Sequence, residues 1–444
     1  MFHKFKSHSS IINPNSTSKL RIRDIDIAYY LTMLAIYAYG ALPSYDFVYI
    51  VVITIPILFL TGLKYKFHKF TLMNCLLIVF LTKYAIVVYP KATVKNGASV
   101  NQVFYLGYIF IVLFLVLSVE GISYKTLFLK GLKFFGKLQV IGVLFQYVLP
   151  NVYNAVWGIF CGPNILSNII RRRGEGYCTG FASESATTAL WLSAALGITF
   201  FVENREKRST KCWIVLYMIC LLLTGKRGPF IFAISSLAIV YIIVDRSRLK
   251  INSLVRGIGA AVAMVILIFV AYELFGADSP VGRLTETFQQ LGQGASVADV
   301  SSSRDVLYER AFDYMRGAIW NGIGWGQYRV LSTRLFDFNG DAHNVYIQVF
   351  VENGLPGAIL YITAIIMGLF YAVRNVLYSQ KRRMNVFNEC CGLLYLQTYY
   401  ILYCFSGTCL YEVAFYYMHF IGLMIAQSLW NSHIRRFESE ADLV

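Results

Sequence analysis

The sequence predicts an all-α integral membrane protein with about twelve transmembrane helices, both termini in the cytoplasm and one large outer loop with helices between spans 9 and 10. Composition is the first reason, because 57% of the residues are hydrophobic and only 14% are charged. Such a chain is too apolar for an ordinary soluble domain. The other reasons are a series of apolar stretches long enough to cross a membrane and the regular spacing of basic residues between them.

The apolar stretches define the predicted spans in chain order. They cover residues 25–42, 47–63, 70–90, 103–119, 132–149, 183–202, 212–224, 229–244, 255–276, 355–373, 389–405 and 411–430. The resulting organisation is a cytoplasmic tail at 1–24, spans 1 to 9 within 25–276 with an outer segment at 150–182, a large outer loop at 277–354, spans 10 to 12 within 355–430 and a second tail at 431–444.

Basic residues set the predicted orientation, because short cytoplasmic loops hold an excess of Lys and Arg. The N-terminal tail is basic, and so is every second connection after it, at 64–69, 125–133, 205–211, 246–250 and 374–383. The formal net charge of +16 is therefore mostly explained by topology, and nucleic-acid binding is not expected. The polar first residues lack an apolar core with a cleavage site, so we interpret them as a retained cytoplasmic tail.

The large outer loop is rich in arginine. It contains no lysine and six arginines: Arg283, Arg304, Arg310, Arg316, Arg329 and Arg334. A guanidinium holds phosphate or carboxylate oxygens two at a time, whereas an ammonium acts as a point charge. The competing role is pairing with acids of the same loop. For Arg310 and Arg316 we favour pairing, since each lies three residues from Asp313 on a predicted helix.

Arg304 differs because it lies at the predicted start of that helix, "SSSRDVLYERAFDYMRGAIW". Ser303 or a neighbour is the expected N-cap, and apolar residues recur at helical spacing from Leu307. Free backbone N–H groups and the positive end of the helix dipole favour an anion there. Anion binding is therefore slightly favoured over pairing with Asp305.

A second basic pair lies in "LLLTGKRGPFIF". Only about thirteen residues separate Lys211 from Thr224, which corresponds to ~20 Å of helix. Lys226 and Arg227 are thus predicted to lie within the thickness of the membrane, where a charge normally faces a polar cavity or a partner. The alternative is an ordinary outer turn, since Gly225, Gly228 and Pro229 make a turn there.

Histidine and cysteine narrow the possible chemistry. Of six histidines only His343 falls in an outer loop, and an imidazole accepts a proton near neutral pH. A structural role for it stays open. Among nine cysteines none has zinc-finger spacing. Cys161 and Cys178 share one outer segment and either form a disulfide or remain buried free thiols.

Several stretches resemble a known family. "SSRDVLYERAFDYMRGAIWNGIGWGQY" followed by "HNVYIQVFVENGLPG" resembles the C-terminal signature of the O-antigen ligase and Wzy-type polymerase superfamily. "TGKRGPF" is similar to the arginine turn of that family, and "RRRGEGYCTGFASESATTAL" to a stretch common among its polymerases. The match covers 301–357 most specifically, and 171–190 and 224–231 less so. One departure is Trp320 and Asn321, where many members have a proline.

The resemblance implies a membrane glycosyltransferase that takes a glycan from undecaprenyl pyrophosphate on the outer face of the bacterial cytoplasmic membrane. His343, Arg304 and Arg227 are the expected catalytic residues. The candidates for binding pyrophosphate or glycan are Arg171, Arg172, Arg173, Lys226, Glu184 and Arg310. Asn344, Glu352, Gly354 and Gly357 are expected to support the loop.

Some roles in this scheme stay open. For the three consecutive arginines at 171–173, contact with lipid headgroups is an equal alternative, and for Glu184 pairing with one of them is favoured over sugar binding. No cofactor and no metal are expected, because the outer loops lack a clustered acidic motif. Partners beyond the lipid-linked glycan and the bilayer are a flippase and chain-length regulators.

Three functions compete at this point. A polymerase of surface polysaccharide is favoured by the Gly-Glu-Gly…Glu-Ser stretch at 174–185. An O-antigen ligase or a protein-directed oligosaccharyltransferase shares the donor and differs in the acceptor. A lipid-glycan flippase or transporter of twelve spans would show two similar halves, and we find no internal repeat.

Overall fold

The structure is a computed structural model that describes residues 121–244, 304–324, 326–337 and 340–407, together with Leu34, Tyr37 and part of 412–431. These residues are mostly helical, and none of them is in a β-strand. Apart from Leu34 and Tyr37, predicted spans 1 to 4 lie outside the described residues. So do span 9, residues 277–303 of the large loop and most of both tails.

The helices with defined bounds in this part of the chain are labelled in chain order. They are α1 Gly121–Val148, α2 Pro150–Phe160, α3 Pro163–Gly174, α4 Ser185–Val202, α5 Arg208–Leu223, α6 Arg227–Val244, α7 Arg304–Met315, α8 Gln327–Phe336, α9 Val345–Lys381 and α10 Phe387–Tyr403. Among them, α4, α6 and α9 are long and apolar enough to cross a membrane. This finding agrees with the predicted class of helical membrane protein.

Helix α1 begins eleven residues before the span predicted at 132–149. Its basic residues Lys125 and Lys133 therefore lie on the helix, whereas we had placed them in a connecting loop. Lys125 is buried in an ion pair with Glu389 of α10, and Lys133 Nζ lies 2.7 Å from Glu203 Oε1 after α4. These ion pairs compensate the charges of Lys125 and Lys133 and so allow both residues to lie on a packed helix. Hydropathy alone does not indicate such partners.

Contacts between helix ends show that α6 and α9 run in the same direction and that α10 runs opposite to them. At one end of the bundle, Gln380 Nε2 donates to the Val244 carbonyl at 2.7 Å, close to where α6 and α9 both end. At the other end, the Val345 N–H donates to the Cys404 carbonyl at 2.9 Å, where α9 begins and α10 ends. We call this second end the loop end, since the segments 149–184 and 304–344 join the bundle there.

The centre of the bundle is α4, whose side chains are almost all buried. It packs against α1, α5, α6 and α10. Small residues make the closest approaches: a Cβ at Gly136 of α1 would collide with Ala195, and one at Gly197 would collide with the ring of Tyr395. Close packing through small residues is typical of helices in membranes, where apolar surface alone gives no attraction between them.

Helix α9 begins at Val345, ten residues before the span predicted at 355–373, and it is kinked at Gly354. Gly354 has φ 68° and ψ 179°, a conformation that is essentially restricted to glycine. Pro356 follows it, and proline lacks the N–H that a continuous helix would use. The kink divides α9 into a short first part at the loop end and a long second part in the bundle.

The turn at 322–324 forms hydrogen bonds with the backbone of α9 beside the kink. The Ile323 N–H donates to the Val351 carbonyl at 2.9 Å, and the Gly324 N–H donates to the Glu352 carbonyl at 3.1 Å. In return, the Leu355 N–H donates to the Ile319 carbonyl at 2.7 Å. The Gly-x-Gly turn at 322–324 and the Glu-x-Gly-x-x-Gly stretch at 352–357 are therefore held together by backbone hydrogen bonds, and we call this contact the backbone junction.

Substitution Gly354→Ala is expected to destabilise the protein strongly. The new Cβ would collide with the backbone of Trp320 and lie 2.8 Å from the Gly322 nitrogen. The forced backbone conformation alone costs about 1–3 kcal/mol. The measurement is the unfolding temperature of the purified protein in detergent. Gly317→Ala is the control in the same loop, because nothing lies within 4 Å of a Cβ there. Equal unfolding temperatures for the two variants would contradict this account of the junction.

Candidate active site

Two glutamines of α1 hold the loop that precedes α4. Gln146 Oε1 accepts from the backbone N–H groups of Thr179 at 2.7 Å and Gly180 at 3.0 Å. About two helical turns earlier, Gln139 Oε1 accepts from the Phe181 N–H at 2.9 Å. Both glutamine side chains are buried. The 178–184 loop is thus fixed to α1 by hydrogen bonds to its backbone.

This loop packs against the turn between α5 and α6. The Cys178 N–H donates to the Leu223 carbonyl at 3.1 Å. Gly225 has φ 66°, and a Cβ there would lie 2.6 Å from the Gly176 carbonyl and 2.9 Å from the ring of Tyr177. The two basic motifs, at 171–173 and 226–227, are therefore neighbours although some fifty residues separate them in sequence.

One aromatic ring brings two of the candidate cations together. Lys226 Nζ lies 5.0 Å from the ring centroid of Tyr177, and Arg172 Cζ lies 5.7 Å from it. Arg172 also approaches Glu175 at 3.5 Å. Arg171 is more exposed and is engaged by the same carboxylate at 2.5 Å. The structure therefore separates the arginine run into a surface ion pair at Arg171 and a cation at Arg172 that shares the Tyr177 ring with Lys226.

The remaining candidates of this segment lie at its edges. Arg173 is half-buried in the last turn of α3. Glu184 occupies the position before α4, and its Oε1 accepts from Asn168 Nδ2 at 3.5 Å. The contact that the structure gives Glu184 is therefore with an amide, whereas pairing with an arginine was the role we favoured.

The starts of α6 and α9 meet the turn that follows α10. Helix α6 begins at Arg227, and a Cβ on the next residue, Gly228, would lie 3.1 Å from Ser406 Oγ. On the other side, the Val345 N–H at the start of α9 donates to the Cys404 carbonyl at 2.9 Å. Arg227 and the candidate histidine two residues before Val345 are thus at the same end of the bundle, on either side of one turn.

His343 has an unusual backbone. Its φ is 52°, in the left-handed region that few residues other than glycine adopt. The next residue, Asn344, is the N-cap of α9, and its Oδ1 accepts from the Ile347 N–H at 3.2 Å. A strained backbone conformation persists only where the surrounding structure imposes it, and such residues are concentrated at functional sites. The conformation of His343 is therefore a reason to consider a functional role.

The helix that begins at Arg304 is connected to the same region. The Arg304 side chain lies outside the described residues, but α7 starts at that residue. Tyr328 ties the helix to α9: its hydroxyl donates to the Leu307 carbonyl at 2.7 Å, and its N–H donates to Glu352 Oε1 at 3.3 Å. Burial raises the pKa of the Tyr328 phenol to about 12, so this hydroxyl remains a donor.

Arg310 and Arg316 differ in their contacts. Arg316 Nη2 lies 3.5 Å from Asp313 Oδ1, as the favoured pairing predicts. Arg310 instead lies over the ring of Phe336, with Cζ 4.0 Å from the centroid. The guanidinium of Arg310 is therefore packed on an aromatic face of α8.

A comparison with protein families found one family model that matches the part of the chain containing Arg227, Arg304 and His343. Residues 212–362 match the family model described as O-antigen ligase. The resemblance to the O-antigen ligase and Wzy-type superfamily is confirmed. We refer to residues 212–362 as the ligase-family segment. A comparison with curated proteins found no match. Together with the apolar helices, the family match indicates an integral membrane protein of the ligase and polymerase type.

The ligase-family segment contains Arg227, Arg304 and His343, whereas the residues around Arg172 lie before it. The contact of Tyr177 with Lys226 therefore joins the matched segment to an unmatched one. Within the described residues, no group of three or more His, Cys, Asp or Glu side chains is placed to hold a metal ion.

Sequence analysis missed several residues of this region. Gln139 and Gln146 stand seven residues apart in an apolar stretch, and two amides on one face of such a helix are the signal that would have indicated a polar partner. Tyr177 gave no signal, because its role depends on a contact with Lys226 that is distant in sequence.

The structure also decides between the two alternatives for Cys161 and Cys178, which were a disulfide and two buried free thiols. Cys161 and Cys178 are both free and buried. Burial raises the pKa of the Cys161 thiol to about 11 and that of Cys178 to about 12, although the charge of Arg173 opposes the latter shift.

Both thiols are therefore expected to react slowly with N-ethylmaleimide at pH 7.5, because the thiolate is the reactive form and burial limits access. Peptide mass spectrometry of the labelled native protein is the measurement, and denatured protein should be labelled at both positions. Ser167→Cys on the exposed face of α3 supplies a reactive control in the same segment. A disulfide-linked peptide containing Cys161 and Cys178 would contradict this expectation.

Proposed function

We propose that the protein is a metal-independent membrane glycosyltransferase that polymerises a surface polysaccharide of O-antigen or capsule type. It transfers the glycan from undecaprenyl pyrophosphate to the non-reducing end of another lipid-linked repeat unit, on the outer face of the cytoplasmic membrane. The main support is that α6 and α9 both begin beside the turn after α10, so that Arg227 and His343 lie at the same end of the helix bundle. Both residues belong to the ligase-family segment.

In the proposed reaction, an acceptor hydroxyl oxygen attacks the anomeric carbon of the donor glycan. The bond from that carbon to the pyrophosphate oxygen breaks, and its electron pair leaves with undecaprenyl pyrophosphate. Arg227 and Arg304 offset the negative charge that develops on this leaving group. His343 accepts the proton of the acceptor hydroxyl.

Arg172 and Lys226 are proposed to bind the pyrophosphate before the reaction. Their shared contact with the Tyr177 ring orients both cations and leaves their positive charges in place. Arg173 and Glu184 are proposed to contact the glycan from the edges of the same segment. Arg310 is a weaker candidate, because its guanidinium covers Phe336.

The choice of polymerase over ligase rests on the 174–185 stretch, which packs against the turn before Arg227. A stretch that resembles a polymerase motif thus lies beside the proposed donor site. The family description favours the ligase alternative, in which the same donor chemistry serves a different acceptor. A flippase and chain-length regulators are proposed partners of the polymerase.

The test is complementation of a deletion strain with wild type, Arg227→Ala, Arg304→Ala or His343→Ala at matched membrane levels. Wild type should restore a ladder of repeat lengths on a gel of the surface glycan. Each variant should lower polymer formation at least about 100-fold, since each removes a charge or a base used in the transition state. Arg316→Ala is the control, because this arginine is exposed and pairs only at the surface.

The form of the glycan distinguishes the candidate functions. Single repeat units on their normal anchor in the deletion strain indicate a polymerase. Polymer that accumulates on its lipid carrier without reaching its anchor indicates a ligase. Wild-type ladders from all three alanine variants would show that the proposed site is wrong.

A further inference from the structure

We infer that Arg329 and Asp341 form a positioning pair that fixes the backbone and imidazole of His343. The inference rests on the proposed function, in which His343 is the proton acceptor. It concerns residues that neither the sequence motifs nor the proposed reaction uses.

The pair makes a two-point contact. Arg329 Nε donates to Asp341 Oδ1 at 3.2 Å, and Arg329 Nη2 donates to Asp341 Oδ2. The Asp341 side chain is only 4% exposed, whereas the Arg329 side chain is 50% exposed. A carboxylate held at both oxygens by a guanidinium fork has little freedom to rotate, so the direction of the chain at Asp341 is set by α8.

A further side chain ties the same carboxylate to α9. Gln348 Nε2 lies 3.3 Å from Asp341 Oδ1 and 3.3 Å from Glu352 Oε1. Glu352 also accepts from the Tyr328 N–H, one residue before Arg329. The network therefore joins the first turn of α8, the loop at Asp341 and the first part of α9, all of it beside the kink at Gly354.

His343 lies between fixed neighbours. Ala342 is fully buried in a small core with Ala311 and Tyr328, and Asn344 caps α9. The positive φ of His343 is costly for a residue with a side chain and persists only where the surroundings impose it. Without the anchor at Asp341, the backbone is free to relax to negative φ, which turns the imidazole in another direction.

A second Arg–Asp pair, near the end of α7, provides a matched control. Arg316 and Asp313 make a single contact at 3.5 Å, and their side chains are 84% and 62% exposed. Exposed pairs of this kind contribute little to stability. Substitutions there change the same residue types in the same outer segment and leave the surroundings of His343 intact.

The first measurement is the rate at which diethyl pyrocarbonate modifies His343, followed by peptide mass spectrometry in intact membranes. Arg329→Gln and Asp341→Asn should raise this rate several-fold, because the imidazole is released from its half-buried position. Arg316→Gln and Asp313→Asn should leave it unchanged. Equal rates in Arg329→Gln and wild type would overturn the inference, whatever reaction the protein catalyses.

The second measurement is epistasis in a polymerisation assay with lipid-linked repeat units. In the wild-type background, Arg329→Gln should lower kcat at least tenfold and change the donor KM less than twofold, because the pyrophosphate ligands remain in place. In the His343→Gln background the same substitution should have no further effect. Arg329→Lys should retain an intermediate kcat, since lysine restores the charge without the two-point contact.

The outcomes separate the inference from the proposed function. An equal loss from Arg329→Gln in both backgrounds would show a merely structural role and overturn the positioning pair. Full activity of His343→Gln would overturn the proposed reaction, and the modification rates would then still decide whether Arg329 fixes His343. If Asp341→Asn fails to fold, Arg329→Gln keeps the test valid, because its side chain is half-exposed.

Discussion

The kink of α9 is the constraint on which the loop end depends. In a helix that continues into a membrane, the carbonyls of Val351 and Glu352 need donors, and the glycine-proline kink removes the regular ones. The backbone of the 322–324 turn supplies them. This exchange of hydrogen bonds leaves no room for a side chain at Gly322 or Gly354. It also fixes the segment that contains α7 and α8 to the bundle, so that the candidate residues of this segment and those of the long helices keep a fixed position relative to one another.

The partners of the basic residues indicate which charges are available for an anion. Arg171 and Arg316 each have a carboxylate as their nearest charged partner, at 2.5 Å and 3.5 Å respectively. Lys226 packs on Tyr177 and Arg310 on Phe336, and an aromatic face orients a cation without cancelling its charge. Arg172 combines both kinds of contact. Basic residues at the loop end thus differ in the electrostatic attraction that they offer to an anion.

Features that depend on local sequence could be predicted, and features that depend on distant contacts could not. Hydropathy predicted α4 and α6 closely, and the start of α7 at Arg304 followed from helical spacing. The early start of α9 was missed, because Gly354 and Pro356 are typical of the end of a loop. The residues before them are nevertheless helical. The contacts of Gln146 and Tyr177 join segments more than thirty residues apart, and one sequence contains no record of such pairs.

The candidate site is formed by two parts of the chain, residues 171–184 and the ligase-family segment. This division suggests how one transfer reaction could be used with different acceptors. The ligase-family segment contains Arg227, Arg304 and His343, which are the residues proposed to stabilise the leaving group and to accept the proton. The 171–184 region lies before that segment and is held in place by α1 through the backbone of its loop. Because those hydrogen bonds use main-chain groups, most side chains of the loop can change without loss of its anchor. Under the proposed function, such an arrangement allows the glycan contacts at Arg173 and Glu184 to vary while the charges of Arg227 and Arg304 on the leaving group stay fixed.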